Sequence, residues 1–183
     1  MLWLAPLERS LGTIMRYVYL HVALLWAGSL GLITVAVLGI ITCFKPLVKI
    51  GALVHFGWLA LIALAGSTFF SGIAAIKAWG GISWSEPVNQ AALTIILVTL
   101  LVQLVVSALR HWRFTPLLYA LPVITMLVTL YDLPKVMHPE NPITLSDTFA
   151  IPLTFITLTT IFYGAMLAVS FVPSTLINDD NIS

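Results

Sequence analysis

Long apolar runs broken by short polar stretches set the pattern of this chain. A membrane crossing needs about 20 predominantly apolar residues, and five runs meet that length, at 20–44, 52–76, 88–109, 114–133 and 149–172. The pattern predicts an all-α integral membrane protein with five transmembrane helices in a single membrane domain over 1–183. Ahead of the first run, Leu4, Leu7, Leu11, Ile14 and Val18 recur at three- and four-residue steps, while Glu8, Arg9, Thr13 and Arg16 point elsewhere. That spacing predicts an amphipathic helix over 1–19 lying in the membrane interface. The same stretch has no basic segment followed by a clean apolar block, so it does not read as a cleavable signal.

Composition agrees with the pattern. Of 183 residues, 60% are hydrophobic and 8% charged, against about 25% charged in soluble domains. A net charge of +1 with no basic stripe argues against nucleic acid as a partner. The single cysteine, Cys43, excludes an internal disulfide, a covalently attached haem and a thiolate metal cluster. No serine-hydrolase elbow, zinc-protease motif or phosphate loop is present, and the Ser and Thr of the spans read as bonding back to their own helices. The runs "AGSLG" at 27–31 and "AGSTFFSG" at 65–72 read as close helix packing. Pro122 and Pro152 read as kinks in the fourth and fifth spans, and Gln103 is the strongly polar residue deep in a span.

The breaks set an orientation. Two short ones hold Lys45, Lys49, Arg110 and Arg113 without an acid; two longer ones hold Lys77 and Lys135 offset by Glu86, Glu140 and Asp147. By the positive-inside rule the short connections face the cytoplasm or matrix and the long ones the exterior. The N-terminus is then outside and the C-terminus inside, in a bacterial or archaeal cytoplasmic membrane or an organellar inner membrane.

This orientation sorts the histidines into two layers: His21 and His138 outside, His55 and His111 inside. With them, in the outer layer, lies the loop "KAWGGISWSEP". An aromatic belt explains Trp79 and Trp84, but not Gly80 and Gly81 between them, nor Glu86 and Pro87 after them. A haem b, bound non-covalently, would use all of these. Two imidazoles fill its axial positions, tryptophans stack on its face and glycines let backbone approach it. Arg16, Lys77 and Lys135 are the cations available for its propionates. His21 and His138 are the candidate iron ligands, and Trp79, Gly80, Gly81, Trp84 and Glu86 the candidate platform. His55 and His111 are interfacial residues or a second site.

The order of these features resembles the haem-handling membrane proteins of cytochrome c biogenesis, of the CcmC and CcsA types. Their pattern is histidine, two spans, a W-G-x-x-W-x-W-D-P loop, two spans, histidine, one span. Here it reads His21, two spans, "WGGISWSEP", two spans, His138, one span. Trp79, Gly80, Glu86 and Pro87 fall on the matching loop positions, and the "AAL" at 91–93 is similar to the family's continuation. Ser83 and Ser85 stand where the family has tryptophan, Glu86 stands for aspartate, and the family's extra N-terminal span is absent. The resemblance implies a holder of haem that passes it to a haem-accepting chaperone or apocytochrome, with an ATP-binding transporter as partner in some systems.

Two other functions stay open. One is a b-type cytochrome subunit that transfers electrons among other membrane subunits through a fixed bis-histidine haem. The other is a cofactor-free structural membrane subunit. None of the three readings makes the chain an enzyme in its own right.

Overall fold

A computed structural model of the chain describes residues 5–7, 11–131 and 148–171. Among these residues every regular element is helical. A 3-10 turn at Gly12–Ile14 runs directly into α1, Met15–Phe44; α2 is Ile50–Trp79, α3 Pro87–Ala108, α4 Ala120–Tyr131 and α5 Ala150–Phe171. A second 3-10 segment, Thr115–Tyr119, leads into α4. Four of the five predicted runs coincide with long helices to within a few residues, because each is bounded by charge, proline or glycine; the run at 114–133 is instead divided between the 3-10 segment and the shorter α4.

Four of these helices are long and apolar enough to cross a membrane: the stretches Gly12–Phe44, Ile50–Trp79, Pro87–Ala108 and Ala150–Phe171. Large apolar side chains face outward along them, among them Ile62, Phe69, Leu101 and Ile156. Water would penalise that surface and lipid would not. This is a multi-pass membrane protein.

α1 departs from the expected start. It has 30 residues, about 45 Å at 1.5 Å per residue, which exceeds a hydrocarbon core of about 30 Å. Residues 15–19, expected in a separate interfacial helix, are instead its first turn and a half. Of the rest of the predicted interfacial segment, residues 1–4 and 8–10 lie outside the described residues. Its described part is pinned to α1, since Ala5 is buried and the Tyr19 hydroxyl donates to the Pro6 carbonyl at 3.1 Å.

α1 and α2 form an antiparallel hairpin, α5 packs along both, α3 flanks α2, and α4 closes against α3 and α1. Small residues make the hairpin possible. A Cβ on Gly28 would lie 2.8 Å from Leu64 Cγ, and one on Gly31 would lie 2.9 Å from Ala60 Cβ and 2.8 Å from Met166 Cε. Leu32, Val35, Leu53, Phe56, Ala60, Val106 and Tyr119 fill the core this approach creates. A second cluster, Met15, Tyr19 and Ala23 with Ile151 and Leu158, joins the start of α1 to the start of α5.

Polar side chains fasten the helices where dispersion alone has no direction. Thr34 Oγ1 and the Tyr163 hydroxyl meet at 2.7 Å across α1 and α5. Trp58 Nε1 donates to Ser107 Oγ at 3.3 Å, and the buried Gln103 amide donates to the Val54 carbonyl. Ten Ser or Thr hydroxyls in the helices donate to the carbonyl four residues back, as expected. The two prolines expected as kinks both lie at helix starts. Pro152 sits in the first turn of α5, where the missing N–H would have had no intrahelical acceptor, and Pro122 sits in the first turn of α4, directly after the 3-10 segment Thr115–Tyr119.

Candidate functional site

His21 lies near the start of α1, half-buried against α2. Its Nδ1 is 3.0 Å from the Ser67 carbonyl and 2.9 Å from the Ser67 hydroxyl. A carbonyl oxygen can only accept, so the contact to it is a hydrogen bond in the tautomer that carries the ring proton on Nδ1. The lone pair of the neutral imidazole is then on Nε2, the arrangement by which a metal-ligating histidine is usually oriented. Ser67 is 2% exposed, so its hydrogen bonds to His21 replace water it cannot reach. Its part in the site was not legible in the sequence, where it belongs to a run of small residues read as packing. Only the crossing of the two helices turns its carbonyl toward α1.

The loop after α2 has a different logic from the one expected. α2 ends at Trp79, and Gly80 caps it in the left-handed conformation, φ +79°, donating its N–H to the Ile76 carbonyl at 2.9 Å. That φ is open to glycine at no steric cost. Glu86 is the N-cap of α3 and Pro87 its first residue, a position proline favours. Gly80 and Pro87, which an aromatic belt left unexplained, are thus stop and start signals of two helices, while the Glu86 side chain makes no capping hydrogen bond. Between them Asn89 Nδ2 donates to the Ser83 carbonyl at 2.7 Å and the Ser83 and Ser85 hydroxyls meet at 3.2 Å. Ile82 turns back onto Gly72, where a Cβ would stand 3.0 Å from its Cδ1. Gly81 is exposed with open space around it.

Ser67, which touches His21, precedes Trp79 by twelve residues of continuous helix, about 18 Å of axial rise. Trp79 and Trp84 are 62% and 56% exposed, as indoles at a headgroup boundary are. Of the propionate candidates, Lys77 Nζ lies over the Tyr17 ring at 5.6 Å, a cation–π contact between α2 and α1. Arg16 is half-buried beside it in sequence at the start of α1. His138 and Lys135 lie outside the described residues.

At the opposite end, His55 is exposed on α2, and His111 is exposed in the connection after α3, edge-on to Trp112 at 6.1 Å. No hydrogen bond or ring contact joins the two. Among the described residues no three His, Cys, Asp or Glu side chains gather as a metal cage would require. A haem asks the protein only for axial donors, and His21 fits one such position.

Comparison with protein-family models, curated proteins and solved structures finds no match to this chain.

Proposed function

We propose that this membrane protein binds haem b at the end of the bundle where the long connections lie, with His21 and His138 as axial ligands. The observation that carries the reading is the bond from His21 Nδ1 to the Ser67 carbonyl. It ties the ring to a neighbouring helix and, in the Nδ1–H tautomer, leaves Nε2 for the iron, which a merely interfacial histidine does not need. His138 precedes Thr148 by ten residues, a reach of up to about 35 Å. Just beyond Thr148, Ile151 packs with Met15 and Tyr19, one turn from His21.

A haem held by two imidazoles supplies one-electron transfer. Of the two tasks open to such a holder, electron transfer within a membrane complex is better supported than delivery of haem in cytochrome c maturation. Delivery requires an axial ligand to be released toward an external loop. His21 is instead tied to the backbone of α2, and Trp79 stands about 18 Å further along that helix. We place the short connections in the cytoplasm or matrix, the N-terminus outside and the C-terminus inside. Thr115–Tyr119 with α4 adds a fifth crossing of about 28 Å, five residues of 3-10 and twelve of α-helix.

A second reading, a cofactor-free structural subunit, draws on the helix ends that account for Gly80 and Pro87 without any ligand. Gently purified full-length protein from haem-supplied cells separates the two in a pyridine haemochrome assay with redox difference spectra. The expected result is a low-spin b-type spectrum retained through gel filtration. His21→Ala and His138→Ala each move it toward high spin, while His111→Ala and Trp79→Ala leave it unchanged. Haem that is bound but readily donated restores the delivery function. No Soret band at any haem supply leaves the structural subunit.

A further inference from the structure

The short-connection end of the bundle carries a second feature that owes nothing to haem. A cleft of about 580 Å³ opens there, lined by Thr42 from the last turn of α1, Lys49 and Ile50 at the start of α2, and His111 and Arg113 from the connection after α3. We propose that this cleft holds the phosphate group of an anionic phospholipid.

Each wall suits that group. α2 starts at Ile50 with no side-chain cap and no acid in its first turn, so its first amides lack intrahelical acceptors and present the positive end of a 30-residue helix. Arg113 is held in place by two hydrogen bonds to the end of α1, Nε to the Cys43 carbonyl at 2.8 Å and Nη2 to the Phe44 carbonyl at 3.4 Å. A guanidinium has five N–H donors, and those not used on α1 remain for an anion. Lys49 adds a second cation. The Thr42 hydroxyl is the most telling group: the residue is 8% exposed, lines the cleft, and its Oγ1 has no partner among the described residues. A buried hydroxyl without a partner costs about 1–3 kcal/mol; the atom itself is closed off from the cleft, and a rotation about χ1 of Thr42 would bring it to a phosphate oxygen. Among the described residues the sole carboxylate is Glu86, at the other end of the bundle.

The neighbouring surface favours a lipid over free phosphate. Arg113 also lines an adjoining cleft of about 470 Å³ whose other walls include Leu109, Trp112, Phe114 and Leu118. A phosphate beside Arg113 thus has an apolar trough next to it for an acyl chain. Basic pockets between transmembrane helices on the cytoplasmic side bind lipid headgroups by this combination.

Native mass spectrometry of the full chain, released from micelles holding equal phosphatidylglycerol and phosphatidylcholine, tests the assignment. Phosphatidylglycerol should be retained in preference. Lys49→Gln should lower that preference about fivefold, the effect of one cation near an anionic surface, and Thr42→Val should lower it without any change of charge. Lys45→Gln, which removes an exposed cation of the same connection outside the cleft, should leave it intact, as should Asp179→Asn with Asp180→Asn. Equal retention of the two lipids, or equal loss in Lys45→Gln, would overturn the proposal. Displacement of phosphatidylglycerol by millimolar inorganic phosphate would make free phosphate the ligand instead. A several-fold rise in the Asp179/Asp180 variant would make the chain's own C-terminal segment the occupant.

Discussion

Gly31 and Gly164 both sit inside apolar helices, and nothing local to the sequence tells them apart. In the folded protein a methyl group on Gly31 would press on Ala60 Cβ and Met166 Cε, whereas one on Gly164 would meet nothing within 4 Å. Alanine is worth about 1 kcal/mol over glycine in a helix interior, and overpacking a tight contact costs about 1–3 kcal/mol. Gly164→Ala should therefore raise the melting temperature in detergent and Gly31→Ala lower it; shifts of the same sign in both would mean that α1 and α2 are not this close. His21 shows the same division. A polar residue near the end of an apolar run was visible as a candidate. The Ser67 carbonyl that holds its ring was not, because it depends on which face of α2 meets α1.

At the scale of elements, the caps explain most of what looked functional between α2 and α3. Gly80 is needed for its left-handed φ, and placing a Cβ there costs about 1–2 kcal/mol. Gly81 has no such constraint and open space around it. Gly80→Ala should lower thermal stability by about that amount and Gly81→Ala should leave it unchanged. A platform function would instead make both substitutions matter for haem retention. The bond between Thr34 and Tyr163 ties α1 to α5. A double-mutant cycle with Thr34→Val and Tyr163→Phe should give a coupling of about 0.6 kcal/mol, the average for such bonds in membranes. Zero coupling would mean that α5 is held by packing alone.

For the whole molecule, the alternation of short basic and long mixed connections makes a directional prediction. In a Cys43→Ala background, a membrane-impermeant maleimide applied outside right-side-out vesicles should label Ser83→Cys and spare Leu47→Cys. The opposite pattern would invert the proposed orientation, and labelling of both would break the hairpin. The native Cys43 is fully buried where Arg113 closes the end of α1. It should stay unreactive in the folded protein and react once detergent denatures it; fast labelling before denaturation would show that this end of the bundle is open.

The sequence by itself determined that the chain lives in lipid, where its helices run and which connections carry the positive charge. Those properties follow from the transfer of each segment between water and hydrocarbon, and a segment's own composition decides them. Tertiary structure alone decided which face of each helix is inside. In α1, for example, Leu32 and Val35 are buried while Ile33 and Val37 are exposed, and all four are equally apolar. Lipid offers no penalty that would mark the outer face, so helix contact is settled by the fit of glycine, alanine and a few hydrogen bonds across the interface. The same fit set His21 on Ser67 and brought Thr42 of α1 together with Lys49 and Arg113 of two connections.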